Sequence, residues 1–316
     1  MLFTSITVLL PVLFVMGLGY WAGRAKKFDA DQTKGLNELV LDFALPALMF
    51  VSTVTTTRSE MFAEIPFLLG ILIAFVGLFL VVLLFSIYVL HHSLGEAALQ
   101  ANLVSYPSVA FVGIPIFTGL FGAPSILSNT SSNVVASLTI VPLTVVMLEI
   151  HSQRAAGNTT RPLRELISQG LVSTFKKAMV WAPLVGAIFV LLDLRVPPEI
   201  TKMFTLIGST TSGASIFLAG LIIAAYKIKF NLELIGNTLV KMLAQPALMV
   251  FLVSTLAIAN PLGREAILLC ALPTALFAPL LAPRYQVYES EAASTLVLTS
   301  LAMIVTLPVA ILLTGA

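Results

Sequence analysis

Charge is scarce in this chain, and cysteine is nearly absent. Only 10% of its 316 residues are Asp, Glu, Lys or Arg, against about 25% in an ordinary soluble domain. That excludes a water-soluble globule. The single cysteine, Cys270, lies in an apolar run, so no intramolecular disulfide can form. Histidine is as sparse. His91, His92 and His151 all fall in connecting segments, with no clustered ligands for zinc. None of them pairs with a buried serine or acid at catalytic spacing, and Ser215 in "GAS" lacks a partner base in the sequence, so a membrane hydrolase is poorly supported. No basic patch interleaves with aromatics, which removes nucleic acid as a partner. No nucleotide-binding motif is present, so ATP does not drive the protein directly, and no cofactor is expected. The first 22 residues lack a basic leader, and their apolar run is too long for a signal peptide. They read as a first transmembrane helix that stays in place.

What the chain does have is apolar length. It is 58% hydrophobic, with a mean hydropathy of +1.02. This is the composition of an all-α integral membrane protein. A spanning helix needs about 20 mostly apolar residues. Ten such spans are expected, near 3–22, 36–55, 65–90, 97–121, 132–150, 177–193, 200–225, 234–257, 265–283 and 291–313.

The basic residues orient them. With the N-terminus outside, the inner loops hold Arg24, Lys26, Lys27, Lys34, Arg154, Arg161, Arg164, Lys176, Lys177, Lys227, Lys229 and Arg284. The outer loops hold only Arg58, Arg195, Lys202 and Arg264. Both termini are therefore expected outside, on the periplasmic face of a bacterial inner membrane. The longest polar connection, 151–176, falls mid-chain and reads as a cytoplasmic linker. It separates a first five-helix repeat, 1–150, from a second, 177–316. An odd number of helices per half gives the halves opposite orientations, as in an inverted repeat. The "ALPALM" of span 2 echoes the "AQPALM" of span 8. These positions do not correspond in a 5+5 repeat, so the echo reads as coincidence.

Two spans carry helix breakers at matching positions. Span 4 reads "SYPSVAFVGIPIFTGLFG", with Pro107 near its middle and Gly113 and Pro115 beyond. Span 9 reads "LLCALPTALFAPLLA", with Pro273 near its middle and Pro279 after it. Proline removes a backbone donor and clashes with the preceding turn. Broken backbone at membrane depth is tolerated where it lines a cavity or is buried in protein. Paired breaks in two inverted halves point to a transporter's binding site. The amides opening each new half-helix favour an anion. Ser108 and Thr274, immediately after the two prolines, are candidate hydroxyl donors to it.

The whole chain resembles the auxin efflux carrier family, which includes plant PIN-type carriers and bacterial organic-acid carriers. The resemblance rests on "LNELVLDFALPALMF", "YPSVAFVGIPIFTGLFG", "VKMLAQPALM", "ALPTALFAPLLAPRYQV" and a late "TLP". The "DFALPA" of span 2 is most similar to the malonate-transporter branch. The resemblance implies ten helices in an inverted 5+5 repeat, with helices 4 and 9 broken and crossing. It implies a homodimer and an elevator motion of helices 3–5 and 8–10 against a scaffold of helices 1, 2, 6 and 7. It implies that Pro107 and Pro273 are crossover prolines, and that Phe111 and Leu276 are apolar crossover positions. Met49 and Ala136–Ser137 match further lining positions. Ser108 stands where plant members place an asparagine that contacts the substrate carboxylate.

Two ionisable groups lie inside expected spans, which makes them functional hypotheses. Asp42 is near the start of span 2 and Lys241 near the start of span 8. Both spans enter from the inside, so the two groups share a depth and can form an ion pair. Lys241 otherwise supplies positive potential for an anion, or snorkels to the interface. Asp42 otherwise couples a proton.

The expectation is a secondary carrier for a small organic anion such as malonate or malate, coupled to a proton or sodium. An auxin-like aromatic carboxylate carrier, a sodium-coupled carrier of bile-acid type and an anion channel are the alternatives.

Overall fold

The computed structural model describes residues 2–55, 57–155, 168, 172, 178–225 and 230–315. Most of the expected 151–176 linker lies outside the described residues. So do six of the basic residues used for orientation: Arg161, Arg164, Lys176, Lys177, Lys227 and Lys229.

Among the described residues the structure is helical, without a β-strand. The helices are α1 (Leu2–Arg24), α2 (Ala30–Val54), α3 (Arg58–Ala63), α4 (Ile65–Tyr88), α5 (Leu94–Ser105) and α6 (Val109–Phe121). They continue with α7 (Ser125–Ala155), α8 (Ala178–Leu191), α9 (Pro198–Ala225), α10 (Leu232–Thr255), α11 (Leu262–Cys270), α12 (Phe277–Tyr285) and α13 (Glu289–Thr314). Six of them, α2, α4, α7, α9, α10 and α13, are long and apolar enough to cross a membrane.

Polar starts explain where the expected boundaries slip. Asp29 and Gln32 form a capping box, so α2 begins at Ala30 rather than 36. Ser93 and Glu96 form another and start α5 at Leu94. Asn231 accepts from the Leu234 amide at 2.7 Å and starts α10. Helix α7 begins seven residues before its expected span. Ser128, Asn129, Thr130, Ser132 and Asn133 are all buried there, so hydropathy underrates a segment that faces protein instead of lipid.

Four stretches widen to π-helix: Leu39–Ala44, Ile73–Gly77, Val109–Gly113 and Val240–Ala244. In three of them the α-helix that follows has proline as its second residue: Pro46, Pro115 and Pro246. Proline offers no N–H to the turn before it and crowds that turn's carbonyl, and a wider turn relieves both. The echo between spans 2 and 8 is therefore not coincidence. The same local chemistry builds a π-turn in each, and those turns carry Asp42 and Lys241.

Helix α1 lies against α9, and α2 against α8 and the first half of α9. Small residues allow the α1–α9 approach. A Cβ on Gly19 would stand 2.0 Å from the Phe217 carbonyl oxygen, and one on Gly220 would stand 2.1 Å from that of Met16. Any larger residue at either position pushes the pair apart. Helix α5 packs between α4 and α7, while α10 packs on α11 and α13. The largest buried cluster fills the space among these helices and includes Met49, Phe67, Phe75, Phe79 and Phe117.

Candidate functional site

Helix α5 ends at Ser105 and α6 begins at Val109; α11 ends at Cys270 and α12 begins at Phe277. The two interruptions meet. Pro107 and Thr274 form an isolated antiparallel bridge. The Ser108 N–H donates to the Pro273 carbonyl at 2.8 Å, and the Ala275 N–H donates to the Tyr106 carbonyl at 2.8 Å. Each break thus satisfies part of the other's exposed backbone, which is what lets unwound chain persist away from water.

Side chains hold the outgoing ends. The Gln245 amide donates to the Ser105 carbonyl at 2.8 Å. Lys241 Nζ donates to the Cys270 carbonyl at 3.2 Å and to Gln245 Oε1. One turn of α10 therefore caps the C-terminal ends of both α5 and α11. Carbonyl ends carry the negative pole of a helix, so a lysine is well placed there. Lys241 is fully buried. It does not snorkel, and among the described residues it forms no ion pair with Asp42. Asp42 is exposed at the cavity described next, whereas Lys241 is buried against the end of α11.

A cavity of about 160 Å³ opens beside the crossing, lined by Asp42, Ser108, Phe111 and Leu276 together with Tyr106, Ala110 and their neighbours. The first amides of α6 have no carbonyl one turn earlier to bond. The Val109 amide turns back to the Pro107 carbonyl at 2.8 Å. Ala110 and Phe111 follow it at the cavity wall. Asp42 is exposed toward this space, whereas Ser108 is buried. On the other side of the crossing the packing leaves only about 10 Å³, lined by Ser108, Pro273, Thr274 and Leu276. That is about the volume of one water probe, so this side is closed.

The remaining expected residues are not all at the cavity. The Thr274 hydroxyl donates to the Leu103 carbonyl, and its amide to Thr299 Oγ1 at 3.3 Å. A hydroxyl has one proton to give, so Thr274 acts here as a strut across the breaks. Gly113 is packed inward. A Cβ there would meet Asn129 Oδ1 at 2.6 Å and Leu272 at 3.0 Å. Met49 is buried in the core. Ser137 lies one turn beyond Asn133, and the Tyr106 hydroxyl reaches both, donating to Asn133 Oδ1 at 3.1 Å. Gln245, Tyr106 and Asn133 are polar participants that the sequence reading missed.

A second polar centre lies at the head of α7. Ser131 donates to Glu64 at 2.7 Å, and Ser128 donates to Glu265. Burial, opposed by the Ser131 bond and reinforced by the nearby Glu265 charge, pushes the Glu64 carboxyl up to about 7. A raised carboxyl favours the folded state at low pH, and that contribution is lost as pH climbs from about 4.5 toward 7. Glu64→Gln should therefore flatten the fall in thermal stability across that window, as read by melting in detergent. An unchanged slope would assign the dependence elsewhere.

A family model described as membrane transport protein matches residues 4–311. The chain is 31% identical over 303 residues to "Uncharacterized transporter YfdV" of Escherichia coli (strain K12), covering 95% of this chain and 94% of the relative. It is 21% identical over 302 residues to the protein named "Putative malonate transporter" of Rhizobium meliloti (strain 1021), covering 95% and 92%. It is 26% identical over 227 residues to "Lysosomal cholesterol signaling protein" of Mus musculus, covering 69% of this chain and 26% of that one.

Proposed function

The chain belongs to the membrane transport protein family, the auxin efflux carrier family that its sequence resembles, and on that premise we propose that it is a secondary carrier for a small organic dianion of malonate or malate size. The observation that carries this reading is the cavity of about 160 Å³ at the meeting of the two breaks. It offers the Ser108 hydroxyl and the opening amides of α6 to a carboxylate. Charge-assisted hydrogen bonds and the positive end of α6 favour that group. Phe111 and Leu276 supply apolar walls for a short carbon skeleton. Drug-sized ligands occupy pockets of about 300–1,000 Å³, so the volume favours a compact acid over an aromatic one. The relative named as a malonate transporter supports the same choice.

The mechanism we infer is alternating access. The helices carrying the crossing, α4–α7 and α10–α13, move as a body against α1, α2, α8 and α9, in an inverted five-plus-five arrangement with both termini outside. The closed side of the crossing and its open side next to Asp42 correspond to one end state. Cysteines at exposed Glu199 and Gln286 test the orientation. An impermeant thiol reagent added to intact cells should label the first and spare the second. Labelling of both would overturn it.

Substrate choice is read in proteoliposomes. Malonate uptake should saturate and show counterflow, and Ser108→Ala should weaken apparent affinity by about tenfold, the loss of one hydrogen bond to a charged group. Unitary conductance would indicate a channel. Uptake of indole-sized acids in preference to three- and four-carbon acids would sink the size argument.

A further inference from the structure

Away from the crossing, α10, α11 and α13 frame a second and larger space of about 760 Å³. Its walls are apolar: Pro246 and Val250 from α10, Ile267 from α11, Val305 and Val309 from α13. Val250, Val305 and Val309 are also exposed on the surface of two helices that qualify as membrane spans. The groove therefore opens to the bilayer and not to water. At the end where α13 terminates stands Arg264. Among the described residues this arginine forms no ion pair, and its Nε is buried without a hydrogen-bond partner. No carboxylate lines the groove. A buried N–H left without an acceptor is costly, and a half-buried guanidinium that presents one is suited to a phosphate.

We infer that this groove is a binding site for one phospholipid, its phosphate on Arg264 and an acyl chain laid between α10 and α13. Length supports the fit. Val305 to Thr314 spans nine helical rises, about 14 Å at 1.5 Å each. That is close to half of a hydrocarbon core of about 30 Å, so the groove is long enough to reach from the interface to the bilayer midplane. Charge supports a headgroup of net negative charge, because a cationic choline or ethanolamine finds no acid in the lining. The chain's end rests on Met242 and Ala271. These residues directly follow Lys241 and Cys270, the pair that caps α11. A bound lipid would thus brace the packing behind the crossing without entering the substrate cavity.

The test is native mass spectrometry of the delipidated, detergent-purified protein titrated with phosphatidylglycerol and phosphatidylethanolamine. The wild type should retain one phosphatidylglycerol more tightly than phosphatidylethanolamine. Arg264→Gln should weaken retention by about tenfold, one charge-assisted contact, and Arg195→Gln, outside the groove, should not. Ala310→Trp fills the groove while leaving Arg264 in place, and it should also release the lipid. A thermal shift by phosphatidylglycerol, present in wild type and absent in both groove variants, reads the same site independently. Equal retention by wild type, Arg264→Gln and Ala310→Trp would overturn the site. Loss in Arg264→Gln but not in Ala310→Trp would show an interfacial charge contact with no seated chain, and overturn it equally.

Discussion

Lys241→Met should abolish transport and lower unfolding stability by about 2–6 kcal/mol, the range for leaving two buried acceptors bare. Methionine matches the lysine in length but donates nothing. The Cys270 carbonyl and Gln245 Oε1 would both lose their donor, and buried acceptors left bare cost about 1–3 kcal/mol each. The second loss is electrostatic. Two half-helices, α5 and α11, point their negative ends at one turn of α10, where Lys241 bonds the α11 end and Gln245, itself bonded by Lys241, holds the α5 end. Without the lysine the α11 end loses its donor and Gln245, which holds the α5 end, loses the group that fixes its amide. Gln245→Leu should also be costly, because it frees the Ser105 carbonyl and takes from the buried Lys241 one of its two acceptors, leaving the Cys270 carbonyl. Stability is read by chemical unfolding in detergent, and transport by uptake of labelled malonate. Full uptake by Lys241→Met would show that the cap is dispensable. A protein stable as wild type but inactive would move Lys241 from scaffolding to direct contact with the anion.

The breaks themselves were legible from paired prolines at matching positions, and not from proline alone, since Pro11, Pro183 and Pro308 lie inside continuous helices. That the two breaks meet was an expectation carried by the family resemblance, which implies that helices 4 and 9 cross, and the bridge between Pro107 and Thr274 agrees with it. The partner of Lys241 was not legible. Counting rises gives depth, and on that count Asp42 and Lys241 sit level. Depth says nothing about azimuth. Asp42 turns to the cavity beside the crossing, and Lys241 turns inward to the carbonyl end of α11 and to Gln245. The signal that could have found Gln245 is the four-residue spacing of Glu233, Asn237, Lys241 and Gln245, one polar stripe on an otherwise apolar span. Helix α7 was misread for a related reason. Its buried serines and asparagines look like a loop to a hydropathy scale that assumes lipid on every side.

Asp42→Asn should remove the pH dependence of uptake and leave binding measurable. Asp42 opens into the same cavity as Ser108 and the amides of α6. An anionic substrate there faces a carboxylate with no compensating cation among the described residues. Like charges in one small cavity repel, and a proton carried by Asp42 relieves that repulsion, so substrate and proton should bind together. Apparent affinity should then rise as pH falls, by up to about tenfold per unit, and an inward proton gradient should drive accumulation. Asparagine keeps the shape and cannot ionise. The variant should bind malonate as tightly at high pH as wild type does at low pH. It should exchange malonate across the membrane and fail to concentrate it. Because Asp42 and Lys241 do not touch, combining Asp42→Asn with Lys241→Met should give stability losses that add within about 0.5 kcal/mol. Recovery in the double variant would mean that the two groups pair in another state of the transport cycle. Proton-driven accumulation that survives Asp42→Asn would place the coupling group elsewhere, with the buried Glu64 and Glu265 the next to change.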